Sequence, residues 1–177
     1  MNDTPQKQIR AGKELKASSA HFLDGLLEKS YEFAQHLDAQ TNILVGVSTA
    51  IFLFSLSAFL GDHPRILFLV LGFFSGLSSL IGLFAIHPPK FMRKRGQEES
   101  LMYNKKIASF LSAEEYGREL GKILDDGRAV TQQYATEIYN VAKYYYRPKR
   151  RLFHWSRNIL IAGIFFSLLS FLISLVE

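Results

Sequence analysis

Residues 39–61 read AQTNILVGVSTAIFLFSLSAFLG and contain no charged side chain over 23 positions. Two further uncharged stretches follow, Ile66–Ile86 with 21 residues and Asn158–Val176 with 19. Because a helix rises by about 1.5 Å per residue, apolar stretches of this length reach about 30 Å, the thickness of a bilayer hydrocarbon core. The three stretches therefore predict three transmembrane helices and exclude a soluble globular enzyme.

The rest of the chain is polar and leaves little room for a second large domain. The 177 residues carry 21 Lys and Arg against 16 Asp and Glu, with no Cys and a formal net charge of +5. With about 60 residues in lipid, the remainder is expected to form small helical elements rather than an independent catalytic domain. The absence of Cys excludes disulfides, thiolate metal sites and Cys nucleophiles. Residues 1–20 lack the apolar core of a signal peptide, so we expect the first span to act as its own insertion signal.

The distribution of Lys and Arg predicts the orientation of the spans. Residues 88–157 contain 15 of these cations, whereas residues 42–87 contain one, Arg65. Lys and Arg resist translocation, so segments rich in them stay in the cytoplasm. We therefore expect the N-terminus and residues 88–157 to be cytoplasmic, with the turn around Arg65 and the terminal Glu177 on the other side of the membrane.

Together these patterns predict an all-α integral membrane protein with three transmembrane helices. Its cytoplasmic part is expected to be a helical bundle formed by an N-terminal stalk helix and a long helix between spans two and three. The predicted segments are a disordered N-terminus (1–12), the stalk helix (13–41), span one (42–61), span two (66–87), a cytoplasmic helical segment (88–157) and span three (158–176).

Apolar residues recur along one face of the predicted stalk helix. They are separated by seven or four positions and are Leu15, Phe22, Leu26, Phe33 and Leu37. Such spacing places side chains on one face of an α-helix. With no Pro to interrupt it, this stripe predicts a helix that continues into the first span. If the protein is a scaffold, the stripe is the surface that docks a cytoplasmic partner.

Short sequence motifs predict where helices begin, break and bend between spans two and three. Ser112-Ala-Glu-Glu115 has the capping-box pattern, in which the Ser accepts from an amide and the Glu reaches back to the cap amide, and it predicts the start of a helix. Asp125-Asp-Gly127 is a candidate break farther along, since Gly and Asp disfavour helix interiors, and a kink there stays open. Pro148 predicts a bend at the membrane surface rather than a long loop.

Motifs for catalysis or metal binding are absent from the sequence. The five His are scattered without metal-ligand spacing, and no phosphate-binding loop or nucleophile motif occurs. We therefore expect no catalytic residues, no metal and no enzymatic activity. Cations beside Tyr residues, such as Arg118 near Tyr116, suit a nucleotide, because a cation pairs with phosphate while a ring stacks on a base. For any single one of these residues, an ordinary solvated face beside a Tyr-rich core seam is the favoured interpretation.

Small residues cluster in span two. Gly72-Phe-Phe-Ser-Gly76 is a GxxxG motif, and Ser79 follows on the same helix. In lipid, small residues permit close approach of helix backbones. Packing within one chain and packing between chains are both open for this face. The spans carry no buried charge, which argues against a proton relay or an ion-coupled transporter.

Three motifs in this order resemble the transmembrane effectors of Pycsar, bacterial antiphage systems in which a pyrimidine cyclase makes cyclic UMP or cyclic CMP. They are Leu37-Asp-Ala-Gln-Thr-Asn-Ile-Leu-Val-Gly46, Phe110-Leu-Ser-Ala-Glu-Glu-Tyr116, and Glu137-Ile-Tyr-Asn-Val-Ala-Lys143 followed by Arg147. The resemblance covers nearly the whole chain from about Phe22.

The resemblance implies a multi-pass protein of the bacterial inner membrane that senses cyclic UMP or cyclic CMP, made by a partner cyclase, and then impairs the membrane in abortive infection. It implies no cofactor and no nucleic-acid partner, and a homo-oligomer in the lipid bilayer. For the ligand we expect the phosphate to be bound by Arg118, Lys122, Lys143 and Arg147, with Tyr116 and Tyr139 stacking on the base. The alternatives are a scaffolding membrane protein that docks a partner through its stalk, and a channel or transporter subunit.

Overall fold

The computed structural model describes residues 4–61, 66–89 and 99–176, with side chains from residue 19 to residue 174 of these ranges. The helices are α1 (Thr4–Phe59), α2 (Ile66–Ile86), α3 (Asn104–Ile107), α4 (Ala113–Leu124), α5 (Gly127–Asn140) and α6 (Arg147–Val176), with a π-helical segment (Val141–Tyr146) between the last two. The described residues form no strand. The predicted all-α fold is confirmed. Helix α1 begins at Thr4, earlier than the predicted start of the stalk at residue 13.

Within the described ranges, three helical stretches are long and apolar enough to cross a membrane, as predicted. They lie in α1, in α2, and in the helical run that joins α5, the π-helical segment and α6. The orientation of the spans stays a prediction.

The chain divides into two compact units. The first unit comprises Met1–Phe33 and Arg95–Lys143, and the second comprises Ala34–Lys94 and Tyr144–Glu177. The first unit therefore contains the polar helices α3, α4 and α5, whereas the second contains the uncharged stretches. Each unit is built from two separate segments of the chain, because α1 and the helical run from α5 to α6 supply residues to both units.

Helix α4 begins at the predicted cap. The Glu115 amide donates to Ser112 Oγ at 3.2 Å, and the Leu111 amide donates to Glu115 Oε2 at 3.0 Å. The reciprocal bond of the capping box thus reaches the residue before the cap, one position earlier than expected. These two bonds give side-chain partners to the Leu111 and Glu115 amides, for which the helix backbone provides none.

The break left open at Asp125-Asp-Gly127 is present. Helix α4 ends at Leu124, and α5 begins at Gly127 with Asp126 as its N-cap, whose Oδ1 accepts from the Arg128 amide at 2.9 Å. An Asp favours the cap over the helix interior because its carboxylate competes for nearby backbone amides. The segment predicted as one long helix is therefore two helices at this point.

A π-helical segment precedes Pro148, where the sequence predicts a bend rather than a long loop. The helix continues from Asn140 through the π-helical segment into α6 without a loop. Proline removes one backbone donor, and its ring collides with the carbonyl four residues earlier, here Tyr144. The wider turn next to it gives the helix a hydrogen-bond pattern that accommodates this position.

In the second unit, glycines allow α2 to lie close to its neighbours. A Cβ added at Gly72 would lie 3.4 Å from Ser55 Cβ, and one at Gly76 would lie 3.0 Å from the Phe52 ring, both in α1. Helix α6 also lies close to α2, because a Cβ added at Gly163 would overlap the side chain of Phe74. The GxxxG face of span two is therefore covered by span one of the same chain, which is one of the two uses left open by the sequence.

Hydroxyl groups join the spans of the second unit. Ser78 Oγ donates to the Ser156 carbonyl at 2.9 Å, and Ser156 Oγ donates to the Ser78 carbonyl at 2.8 Å. Between α1 and α2, Thr49 and Ser79 share a hydrogen bond of 2.7 Å. In an apolar surrounding these bonds satisfy polar groups that water does not reach and fix the helices in register.

The face through which α1 packs differs from the predicted stripe. Phe22 is 66% exposed and Phe33 is 55% exposed, and of the described members of the stripe Leu37 alone is buried. Leu15 lies outside the residues with described side chains. The packed face instead includes Leu23 and Leu27, one position farther along the helix than Phe22 and Leu26. The stripe lies on the α-helix that its spacing predicts, and its described members other than Leu37 lie on an exposed face of that helix.

Candidate functional site

A buried carboxylate lies at the centre of the first unit. Glu137 is 2% exposed; its Oε1 accepts from Tyr31 Oη at 2.7 Å and its Oε2 accepts from Ser100 Oγ at 2.7 Å. Among the described residues no cation forms an ion pair with it. Both carboxylate oxygens are thus stabilised by hydroxyl donors, which offset part of the cost of removing this group from water.

The same network fixes an irregular piece of backbone. Ser100 Oγ accepts from the Met102 amide at 3.1 Å, the Leu101 amide donates to Gln133 Oε1 at 2.8 Å, and Tyr116 Oη donates to the Leu101 carbonyl at 3.3 Å. Backbone outside helices needs side-chain partners when water does not reach it. One carboxylate and its neighbours therefore connect α1, residues 100–102, α4 and α5.

The predicted ligand residues on α4 are solvent-accessible to different degrees. Arg118 is exposed, one turn before Lys122. The Lys122 side chain is 70% exposed and its Nζ lies 2.6 Å from Glu119 Oε1. Tyr116 is half-buried, and its ring centroid lies 5.4 Å from that of Phe110. Arg118 and Lys122 thus share one helix face, whereas Tyr116 is already engaged in packing and in the bond to Leu101.

Of the predicted ligand residues on α5 and after it, Tyr139 and Lys143 contact each other. Lys143 Nζ lies 4.5 Å from the Tyr139 ring centroid and donates to Tyr139 Oη. Tyr139 is 50% exposed. Arg147 is exposed and belongs to the second unit, not to the first. Within the first unit the structure therefore brings together Tyr139 with Lys143, and Arg118 with Lys122.

A buried ion pair in the second unit is not among the predicted site residues. Lys149 Nζ lies 2.7 and 2.9 Å from the two oxygens of Asp38 and 2.9 Å from Tyr145 Oη, with the Tyr145 ring centroid at 4.1 Å. The Lys149 side chain is 4% exposed and that of Asp38 is 30% exposed. In the sequence Lys149 is one cation of a basic cluster, and the available signal was that Asp38 is the last charged residue before the first uncharged stretch.

These two units define a class of protein: an all-helical, multi-pass membrane protein whose polar helices are held together by a buried hydrogen-bond network. A family model for the Pycsar effector protein domain matches residues 22–176, nearly the whole chain. The chain therefore belongs to the Pycsar effector family and is a Pycsar-type antiphage effector, as the resemblance predicted. No curated protein and no solved structure matches the chain.

Proposed function

We propose that this effector detects a cyclic pyrimidine nucleotide through the helices of its first unit and then impairs the integrity of the bacterial inner membrane. The observation that carries this proposal is the family match, which spans both the polar helices and all three apolar stretches. An effector of this kind acts by binding and assembly, so we assign it no catalytic residues and no cofactor.

The exposed groups of the first unit suit such a ligand. A 3′,5′-cyclic phosphate carries one negative charge, which an exposed guanidinium binds through two parallel hydrogen bonds. Arg118 and Lys122 place two cations on one face of α4, and the half-exposed Tyr139 lies beside the Lys143 ammonium. Stacking on such a ring is worth about 1–3 kcal/mol per base. We therefore retain the predicted set for the first unit and place Arg147 apart from it.

Membrane impairment requires more than one chain. The three uncharged stretches contain no charged side chain to line an aqueous path, and several of their hydroxyls donate to backbone carbonyls of their own helix, as Ser48 does to Leu44 and Ser55 to Ile51. Several copies, assembled as a homo-oligomer, are therefore the proposed active form in the lipid bilayer. Because the GxxxG face of α2 is covered by α1, assembly uses another surface.

Direct binding tests the ligand. Purified full-length protein in detergent is titrated with cyclic UMP, cyclic CMP, cyclic AMP and cyclic GMP by isothermal calorimetry. We expect one cyclic pyrimidine to bind more tightly than both purines, and the same compound, produced by a cyclase in cells, to depolarise the inner membrane. Equal binding of all four nucleotides, or binding of none, would overturn the proposal.

A further inference from the structure

Helix α1 packs within the chain through a face that repeats every seven residues. Its members are separated alternately by four and three positions, and all are buried or half-buried. They are Leu23, Leu27, Ser30, Ala34, Leu37, Thr41, Leu44, Ser48, Ile51, Ser55 and Ala58. A strict seven-residue repeat is the pattern of helices that pack side by side in a left-handed coiled coil.

A second series with the same repeat lies one position earlier, and all its members are exposed. We call it the exposed seam. Its members are Phe22, Leu26, Lys29, Phe33, His36, Gln40, Ile43, Val47, Ala50, Phe54 and Ser57. Successive members are again separated by four and three positions. Helix α1 therefore carries two coiled-coil faces, of which the chain itself uses one.

The polar part of the exposed seam needs a protein partner. Phe22 is 66% exposed and Phe33 is 55% exposed. Phe22 lies twenty residues before Asn42, which is about 30 Å of helix, too far for lipid that surrounds the uncharged stretch to cover it. Large exposed apolar side chains in one row mark an interaction surface when they occur in water.

The continuation of the seam indicates which partner fits. Its members from Ile43 to Ser57 lie in an uncharged stretch, in the same seven-residue register as Phe22, Leu26 and Phe33. A partner that covers the whole seam must itself be polar on one part of its length and apolar on the next, in the same order. The α1 helix of a second copy of this chain meets that requirement in a parallel arrangement.

Polar members of the seam set its register. His36 Nε2 and Gln40 Nε2 are 3.0 Å apart and hydrogen-bonded, and Lys29 Nζ lies 5.9 Å from the Phe33 ring centroid. Single polar residues at core positions of a coiled coil select the register in which like positions of the helices meet. We propose that the exposed seam of α1 is the surface through which copies of this chain assemble in parallel in the membrane, which is the assembly step of the proposed function and rests on it.

Single-cysteine cross-linking tests this interface directly, because the natural chain has no Cys. Phe33→Cys and Ala50→Cys place one thiol on the seam, whereas Gln35→Cys and Leu56→Cys place one on exposed positions far from both series. Each full-length variant is produced with two different epitope tags in the same cells, and the membranes are treated with copper phenanthroline. We expect disulfide-linked pairs containing both tags for the two seam variants, and monomers for the two controls.

A charge on the seam provides a second measurement. Phe33→Glu in the Ala50→Cys background is expected to abolish the cross-link, whereas Gln35→Glu in that background leaves it intact. Monomeric seam variants, equal cross-linking of the controls, or a cross-linked product that lacks the second tag would each overturn the interface. The assay needs neither nucleotide nor phage, so cross-linking without nucleotide binding refutes the proposed function alone, and binding without cross-linking refutes the interface alone.

Discussion

Removing the acidic partner of Lys149 should destabilise the second unit more than removing Lys149 itself. In Asp38→Asn, an ammonium with a 4% exposed side chain loses the negative charge of a carboxylate whose oxygens lie 2.7 and 2.9 Å away. It keeps a neutral amide oxygen and the hydroxyl and ring of Tyr145 as neighbours. In Lys149→Met, the remaining Asp38 carboxylate is 30% exposed and can be hydrated. The two halves of one ion pair therefore differ in how far water can replace the missing partner.

The magnitude follows from this asymmetry. Breaking a buried pair by removing one partner costs about 3–5 kcal/mol, and we place Asp38→Asn at about 3 kcal/mol because Tyr145 remains beside the ammonium. A loss of about 3 kcal/mol lowers the Tm of a chain of this size by about 6–12 °C. For Lys149→Met we expect about 1–2 kcal/mol, the cost of a polar group with incomplete hydrogen bonding.

Thermal unfolding in detergent, followed by circular dichroism, measures the difference. Lys122→Met is the matched control, since its pair with Glu119 has side chains that are 70% and 44% exposed and such surface pairs contribute about 0–1 kcal/mol. The double variant Asp38→Asn with Lys149→Met should be more stable than Asp38→Asn alone, because no uncompensated ammonium is left. Equal losses for the two single variants, or no loss for Asp38→Asn, would contradict the burial of this pair.

Three further predictions concern ligand, packing and topology. Changing each of the three cations retained for phosphate, Arg118, Lys122 and Lys143, to Ala should weaken binding of the preferred cyclic pyrimidine by about 1.5–3 kcal/mol in calorimetry; Lys105→Ala on α3 is the control, and unchanged affinity in all three variants would show that the site is misplaced. Gly82→Ala should lower the Tm in detergent, since its Cβ would lie 2.5 Å from Val45 Cγ2, whereas Gly46→Ala, with nothing within 4 Å, should not; equal Tm values would argue against this close contact. A reporter fused after Leu111, which is 95% exposed, should report the cytoplasm and one at Glu177 the opposite side; a periplasmic signal after Leu111 would reverse the topology.

Features that depend on neighbouring residues were predictable from the sequence. The three uncharged stretches identified the apolar helices, because transfer of a helix into lipid depends on the composition of about 20 consecutive residues. The cap at Ser112 was predictable because its hydrogen bonds join residues three or four positions apart. Of the candidate site, the sequence supplied the exposed cations of α4, and it supplied Tyr139 and Lys143, which lie four positions apart in one continuous helical run.

Features that depend on distant residues were decided by the tertiary structure. Periodicity identified Phe22 and Phe33 as apolar positions of a helix but did not distinguish the packed face of α1 from the exposed one, since both repeat every seven residues. Glu137 is buried because Tyr31, 106 positions away, and Ser100 donate to it. Lys149 is buried because its ammonium pairs with Asp38, which lies 111 positions earlier in the chain. A charge leaves water only where partners meet it in space, and those partners are brought to it by the packing of helices that the local sequence does not specify.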